Sequence, residues 1–237
     1  MMRLNKYIAH AGICSRRKAA ELVKAGEIKL NDKVEINPAV EITEDDKVEY
    51  KGKLIRPIRQ KIYLLLNKPK NVITAMSDDR GRKTVWDIVE SKVSSKVFPV
   101  GRLDRNTTGL LLMTNDGDLA NKLAHPRNNV KKIYQVVLNK ALLEKDINAI
   151  KKGLTLEDGA AKVDEISYIL DMPASHIGIQ LHSGKNRIIR RIFEHLNYEV
   201  EKLDRVLYAG LTKKDIPRGW SRFLTKKEVI MLKHFIK

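Results

Sequence analysis

The sequence predicts an α+β fold in two parts: a small module of two helices and a β-hairpin, then a larger domain whose largely antiparallel, mixed sheet is flanked by helices. Three observations predict it. Apolar residues recur at helical spacing through the first 25 positions and then alternate with a period of two. A basic stretch with no stable period, "KGKLIRPIRQ" at 51–60, interrupts the pattern. Beyond it several strand-like segments follow one another with no helix between them, which favours an α+β sheet over a doubly wound one.

In order along the chain, Leu4, Tyr7, Ile8 and Ala11 form the apolar stripe of a first helix, which Gly12 ends. Ser15 can cap a second helix whose stripe is Ala19, Leu22 and Val23, closed by Gly26, with Arg16, Arg17, Lys18 and Lys24 on its solvent side. "EIKLNDKVEI" then alternates as two strands about an Asn31-Asp32 turn. The basic stretch serves as a linker, so the domains are expected at 1–58 and 61–237, joined through 51–60. "KIYLLLNKP" reads as a buried strand stopped by Pro69. Further strands are expected near 97–100, 109–113, 132–138, 162–169, 176–181 and 199–208. Helices are expected at 117–124, 144–151, 187–196 and 225–235.

With 237 residues there is chain enough for a medium domain and a small appendage. The 46 Lys and Arg against 29 Asp and Glu leave a net charge of +17, an excess that points to a polyanionic partner, with nucleic acid ahead of an anionic membrane. Aromatics make up only 5% of the residues, too few for a binder that works mainly by stacking on single strands. A single cysteine, Cys14, excludes an internal disulfide framework and a Cys-cluster zinc site. The six histidines include no pair at the i, i+4 spacing of a helical metal site. No window reaches about 18 uninterrupted apolar residues, and the basic N-terminus lacks the apolar run of a signal peptide. A soluble cytoplasmic protein is therefore expected.

The segment that most invites chemistry is "FPVGRLDRNTTGLLLMTNDG", 98–117, in which Asp104 stands between Arg102 and Arg105 at the lip of a buried strand. Asp104, Asp116 and Asp118 could be taken for a metal cluster. Asp116 and Asp118, however, have a sufficient role near the N-terminus of the helix that follows, so no metal is assigned. In 187–196, Ile188, Ile189, Ile192, Phe193 and Leu196 share one helical face, leaving Arg187, Arg190 and Arg191 as a cationic wall on the other. Alternation in "KIYQVVL" places Lys132, Tyr134, Val136 and Leu138 on one sheet face.

The N-terminal "RLNKYIAHAGICSRRKAAELVKAGEIKLNDK" resembles an S4 RNA-binding domain. Its physical logic is plain: a helix start at Ser15 offers free backbone N–H groups to a phosphate, and Arg16 and Arg17 add forked donors. "GRLDRNTTGLLLMTNDG" resembles the catalytic motif of pseudouridine synthases of the RsuA/RluB type, which modify ribosomal RNA. The resemblance continues through "LNKPKNV", "KIYQV", "SGKNRIIRRIF", "LDRVLYAGL" and "IPRGWSRFLTKKEV".

That resemblance implies a catalytic triad of roles. Asp104 is the nucleophile, Arg190 its cationic partner, and Tyr134 the residue that stacks on the target base. A carboxylate suits the task because the isomerisation breaks one bond to the sugar and makes another with no redox change, so an ionised nucleophile suffices. The target uridine must leave the RNA stack to be reached, and Arg102 matches the position implied in filling the gap. Lys132, Lys185, Asn186, Arg187 and Arg191 complete the expected RNA-binding set with Arg16 and Arg17. Ribosomal RNA or an assembling subunit is the implied partner of a monomer that needs no metal, organic cofactor or membrane. Two positions depart from the family pattern: Ile188 stands where Gln is usual, and Asn71 where Gly is common. "SDDRGRKTVWDIV" and the arginine-rich 183–191 segment favour large-subunit (23S) over small-subunit (16S) ribosomal RNA. A non-catalytic ribosome-assembly factor stays open as the rival class.

Overall fold

The computed structural model describes residues 1–234, the side chain of Pro126 excepted, and divides into two compact units, Met1–Lys61 with Ser94–Lys96 and Ile62–Val93 with Val97–Lys237. The last residue of the helix expected at 225–235, like residues 236 and 237 of the second domain, lies outside the described residues.

In the first unit the elements are β1 (Met2–Arg3), α1 (Leu4–His10), α2 (Arg16–Lys24), β2 (Ile28–Leu30), β3 (Lys33–Val34), β4 (Glu41–Ile42), β5 (Val48–Tyr50) and β6 (Lys53–Leu54). Leu4 and Ile8 from α1 and Ala19, Leu22 and Val23 from α2 are buried together with Ile28, Ile42 and Val48. Ser15 caps α2 as expected, its Oγ accepting from the Lys18 N–H at 3.2 Å. Asn31 and Asp32 both take positive φ, 49° and 68°, the geometry of a two-residue hairpin turn. The structure differs from expectation at 51–60. Lys51 and Gly52, at φ 49° and 71°, make a second such turn, so β6 pairs with β5 and Ile55 is buried in the small core. A lysine in the left-handed region carries no sequence signal of a turn, which is why the hairpin is read as linker.

The second unit contains β7 (Tyr63–Lys68), α3 (Trp86–Val89), β8 (Phe98–Pro99), β9 (Thr108–Thr114), α4 (Gly117–Ala124), β10 (Lys132–Leu138), α5 (Glu144–Lys152), β11 (Leu154–Leu156), β12 (Gly159–Ala161), β13 (Glu165–Tyr168), β14 (His176–Leu181), α6 (Ile188–His195), β15 (Val200–Tyr208), β16 (Leu211–Thr212), β17 (Ser221–Phe223) and α7 (Lys226–His234). One sheet runs β13-β14-β10-β15-β9-β7-β17, with β16 on β15 and β8 on β9. Its named ladders are antiparallel except β15 with β9, which run parallel. The mixed sheet of the expected α+β fold is thus present. Leu64, Leu66, Leu111 and Met113 are buried in one core, while Tyr63, Leu65, Leu110 and Leu112 are buried in another on the opposite face. Covering both faces accounts for the unbroken apolar runs of β7 and β9. The hairpin of β11 and β12, the edge strand β17 and the single turn α3 have no counterpart in the sequence reading. Each is too short for periodicity to register.

The parallel pairing positions the loop that precedes β9. Asp204 lies opposite Thr108 and Arg205 opposite Gly109. Gly109 has φ +104°, and a Cβ there would stand 2.3 Å from the Arg205 carbonyl oxygen and 2.5 Å from its nitrogen. Only glycine lets the two backbones come this close.

Candidate active site

Asp104 sits in the 101–107 loop between β8 and β9, and the loop is fixed through its backbone. Thr74 holds both sides of Leu103: its Oγ1 donates to the Leu103 carbonyl at 2.7 Å and accepts from the Leu103 N–H at 3.2 Å. The Thr107 N–H donates to the Asp104 carbonyl at 3.1 Å, closing a turn over 104–107. The Arg105 carbonyl accepts from the Asn71 N–H at 2.9 Å and from Lys68 Nζ at 3.3 Å. Asn71, where the family pattern has Gly, adopts φ 66°, a left-handed conformation that Asn tolerates. Lys68 is fully buried, and its ammonium also donates to the carbonyls of Pro69 and Val72 at 2.9 and 2.7 Å. Burial lowers its pKa to about 8, against the opposing pull of Asp104.

A cavity of about 400 Å³ opens at this loop. Asp104 lines it together with Arg102, Lys132, Tyr134, Lys185, Asn186 and Arg187, so seven of the residues expected at the site are brought together. The register of β10 and β15 sets Tyr134 opposite Arg205 and Lys132 opposite Tyr208, and Arg205 and Tyr208 also line the cavity. Tyr134 is buried, while the Asp104 side chain is 38% exposed. Lys132 Nζ donates to the His182 carbonyl at 2.7 Å. Its partial burial, aided by the nearby Arg205 cation, lowers its pKa to about 8. Arg187 caps α6 from the left-handed region at φ 47°, with its Nη1 3.8 Å from Asp104 Oδ2.

In this structure the arginine in contact with Asp104 differs from the one expected to pair with it. The cation against the Asp104 carboxylate is Arg187, whereas Arg190 Nη1 donates to the Val200 carbonyl at 2.8 Å and Arg190 does not line the cavity. The reason is the cap. With Arg187 outside the helix its side chain turns to the cavity, while Arg190, one turn in, lies against β15. Arg190 still feels Asp104 through space, though burial has the larger effect and lowers its pKa. Arg191 is engaged elsewhere, with Nη1 2.8 Å from Asp158 Oδ1. Lys185 Nζ likewise donates to the carbonyls of Asp158 and Ala160, at 3.0 and 3.1 Å. Arg102 is exposed at the cavity, and Arg105, also exposed, does not line it. Arg16 and Arg17 lie exposed on α2 of the first unit, Arg16 Nε donating to Asn5 Oδ1 at 3.2 Å. Asp116 caps α4, accepting from the Leu119 N–H at 3.2 Å and from the Tyr63 hydroxyl at 2.7 Å.

Sequence reasoning missed Lys68, Thr74, Asp158, Asp204 and Arg205. Asp204 is a structural hub whose carboxylate accepts from Thr108 Oγ1 at 2.7 Å and from Arg218 at 2.8 Å, and pairs with Lys213. The strand "LDRV" gives both Asp204 and Arg205, but a charge inside a strand is ordinarily taken as solvent-facing. A lysine within "LLLNKP" was the one available hint, since an ammonium embedded in a buried strand must have a polar destination.

The RNA pseudouridylate synthase family model matches residues 62–195 and the S4 domain model matches residues 2–48. The chain is 41% identical over 236 residues to the ribosomal large subunit pseudouridine synthase B of Bacillus subtilis (strain 168), covering 98% of this chain and 96% of that protein. It is 36% identical over 233 residues to the dual-specificity RNA pseudouridine synthase RluF of Escherichia coli (strain K12), covering 98% of this chain and 78% of that one. Among solved structures, a crystal structure of pseudouridylate synthase matches with a TM-score of 0.68 at 26% identity, covering 98% of this chain and 100% of that chain.

Proposed function

The chain belongs to the RNA pseudouridylate synthase family, and from that premise we propose that it converts uridine to pseudouridine in large-subunit ribosomal RNA, with Asp104 as nucleophile. The full-length likeness to the Bacillus subtilis large-subunit enzyme carries the choice of substrate. The exposed carboxylate of Asp104, at the rim of a cavity lined by cations, supports its role.

The reaction exchanges an N1–C1′ bond for a C5–C1′ bond and moves a proton from C5 to N1. Asp104 attacks the sugar carbon, and the base departs with an electron pair on N1 that spreads onto its carbonyl oxygens. Lys132 and Arg187 face that developing negative charge from fixed positions, so they stabilise it without reorganising. Tyr134 offers the ring against which the freed base turns. C5 of the turned base then displaces the Asp104 carboxylate from C1′, and the proton lost from C5 to solvent is balanced by the one that N1 takes up from it. No electrons are exchanged and no co-substrate is consumed, so this reading assigns no cofactor, and a monomer supplies every group named.

A base in a folded RNA must be turned out of its stack before it can enter the cavity. Arg102, exposed at the cavity, is the residue assigned to fill the space it leaves. The S4 module, matched over 2–48, supplies backbone contacts from Arg16 and Arg17. A ribosomal substrate puts the protein in the cytoplasm. Among the described residues no helix is long and apolar enough to cross a membrane.

The test is a pseudouridine map of ribosomal RNA from cells with and without the protein, complemented by the wild type or Asp104→Asn. One large-subunit site should vanish, return with the wild type and stay absent with Asp104→Asn while RNA binding persists. A site lost only from small-subunit RNA would overturn the substrate. Full modification by Asp104→Asn would overturn the mechanism.

A further inference from the structure

Arg205 is 2% exposed, yet it lines the cavity beside Tyr134. Its Nε donates to the Leu110 carbonyl at 2.7 Å, and its guanidinium lies 4.5 Å from the centroid of the Tyr208 ring. These contacts hold the group in place, but they use only part of it. Nη2 is shielded from solvent and has no hydrogen-bond partner among the described residues. A guanidinium donor left unsatisfied at a buried position is costly, and cavities that bind ligands are where such a donor finds an acceptor.

Resting on the reaction proposed above, we infer that Arg205 is a specificity residue that donates to O4 of the flipped uracil. The depth of the two charged groups sets the orientation. Asp104, 38% exposed, stands at the rim, so the sugar and the N1–C1′ bond lie there. Arg205 lies on the sheet floor. In a pyrimidine ring C4 is directly across from N1, so the edge that reaches the floor carries the substituent of C4. Uracil presents a carbonyl acceptor at that point. Cytosine presents an amino donor, which a guanidinium cannot satisfy because it has no acceptor. Arg205 therefore admits uracil and rejects cytosine. It also meets negative charge that reaches O4 when the N1–C1′ bond breaks.

The experiment uses an RNA transcript spanning the mapped uridine, with uridine, 4-thiouridine or 2-thiouridine at the target, in single turnover with the full-length protein. Sulfur accepts hydrogen bonds weakly. With wild type the rate should fall about 10- to 100-fold for 4-thiouridine and much less for 2-thiouridine. Arg205→Met and Arg205→Lys should be slow on uridine and lose most of that distinction, with RNA affinity within about threefold of wild type. Equal rates of the wild type on the two thio substrates, or an undiminished 4-thio effect in Arg205→Met, would overturn the assignment. The substitutions in the RNA decide the matter even if Arg205→Met does not fold. Failure of wild type to convert the uridine control would instead overturn the proposed reaction.

Discussion

Replacing Gly109 by Ala tests whether the close approach of β9 to β15 fixes the Asp104 loop. Two costs arise. At φ +104° an alanine is strained, which is worth about 1–3 kcal/mol. Its Cβ would also stand 2.3 Å from the Arg205 carbonyl oxygen, whereas ordinary contact begins at 3.4 Å, so the strands must part by 3.4 − 2.3 ≈ 1.1 Å. Such overpacking costs about 1–3 kcal/mol more. Gly101→Ala is the control. Gly101 has φ +72° and nothing within 4 Å of its would-be Cβ, so only the conformational cost applies. Both tryptophans, Trp86 and Trp220, belong to the larger unit, so tryptophan fluorescence excited selectively during urea unfolding reports on that unit alone. Gly109→Ala should lose about 2–6 kcal/mol and Gly101→Ala about 1–3. Because the displaced pairing carries Thr108 and the loop before it, single-turnover rate in Gly109→Ala should fall about 100-fold, the effect of a misplacement near 1 Å. Equal stability losses in the two variants would refute the close-approach argument.

Other expectations follow from the same loop and cavity. The Lys132 pKa of about 8 lies below the ordinary 10.5, so its ammonium discharges as pH rises through 8, and the single-turnover rate should fall on an alkaline limb near that value. Lys132→Arg keeps the charge and should move the limb upward, whereas a limb left unchanged would discard the role of Lys132 and leave Lys68, also near 8, as its source. For both lysines the unfolded chain binds more protons between pH 8 and 10.5. Their burial therefore costs stability below pH 8, a cost relieved as pH rises through that window and measurable as a rising urea midpoint. Thr74→Val removes both hydrogen bonds to Leu103 at nearly constant shape. It should slow the chemical step more than tenfold with little change in RNA affinity, and a wild-type rate would show that the loop needs no such pin.

The strands and helices that bury a full face were legible because burial imposes a period. "KIYQVVL" and "HIGIQL" are β10 and β14 to the residue, and the Ile188, Ile189, Ile192 and Phe193 face of α6 is buried as its spacing requires. Asp104, Tyr134, Lys132 and Arg187 were legible through their motifs, and the structure gathers them at one cavity. What stayed hidden were partners set by pairing between distant segments. Arg205 meets Tyr134 only because β10 pairs with β15, and Asp158 reaches Lys185 and Arg191 only because a two-strand hairpin folds back. Helical spacing placed Arg190 on the cationic face, but a left-handed cap at Arg187 decided which arginine reaches Asp104.

Two carboxylates flank the β9–β15 pairing, and they are held in opposite ways. Asp204 is anchored by its side chain: Thr108, Lys213 and Arg218 engage its oxygens, and those hydrogen bonds keep its pKa low despite the opposing effect of burial. With three of its roughly four acceptor sites so occupied, it has little left to offer a substrate. Asp104 is anchored by its backbone instead, through bonds from Thr74, Asn71, Lys68 and Thr107 to the peptide groups at and beside it. Its carboxylate is left with a 3.8 Å contact to Arg187, too long for a hydrogen bond. In the reaction proposed above Asp104 is the attacking carboxylate, a role that needs a fixed position and unspent lone pairs at once. Pinning the loop by its peptide groups supplies the first without consuming the second, and this is why a neutral threonine and a buried lysine, rather than another ion pair, support Asp104.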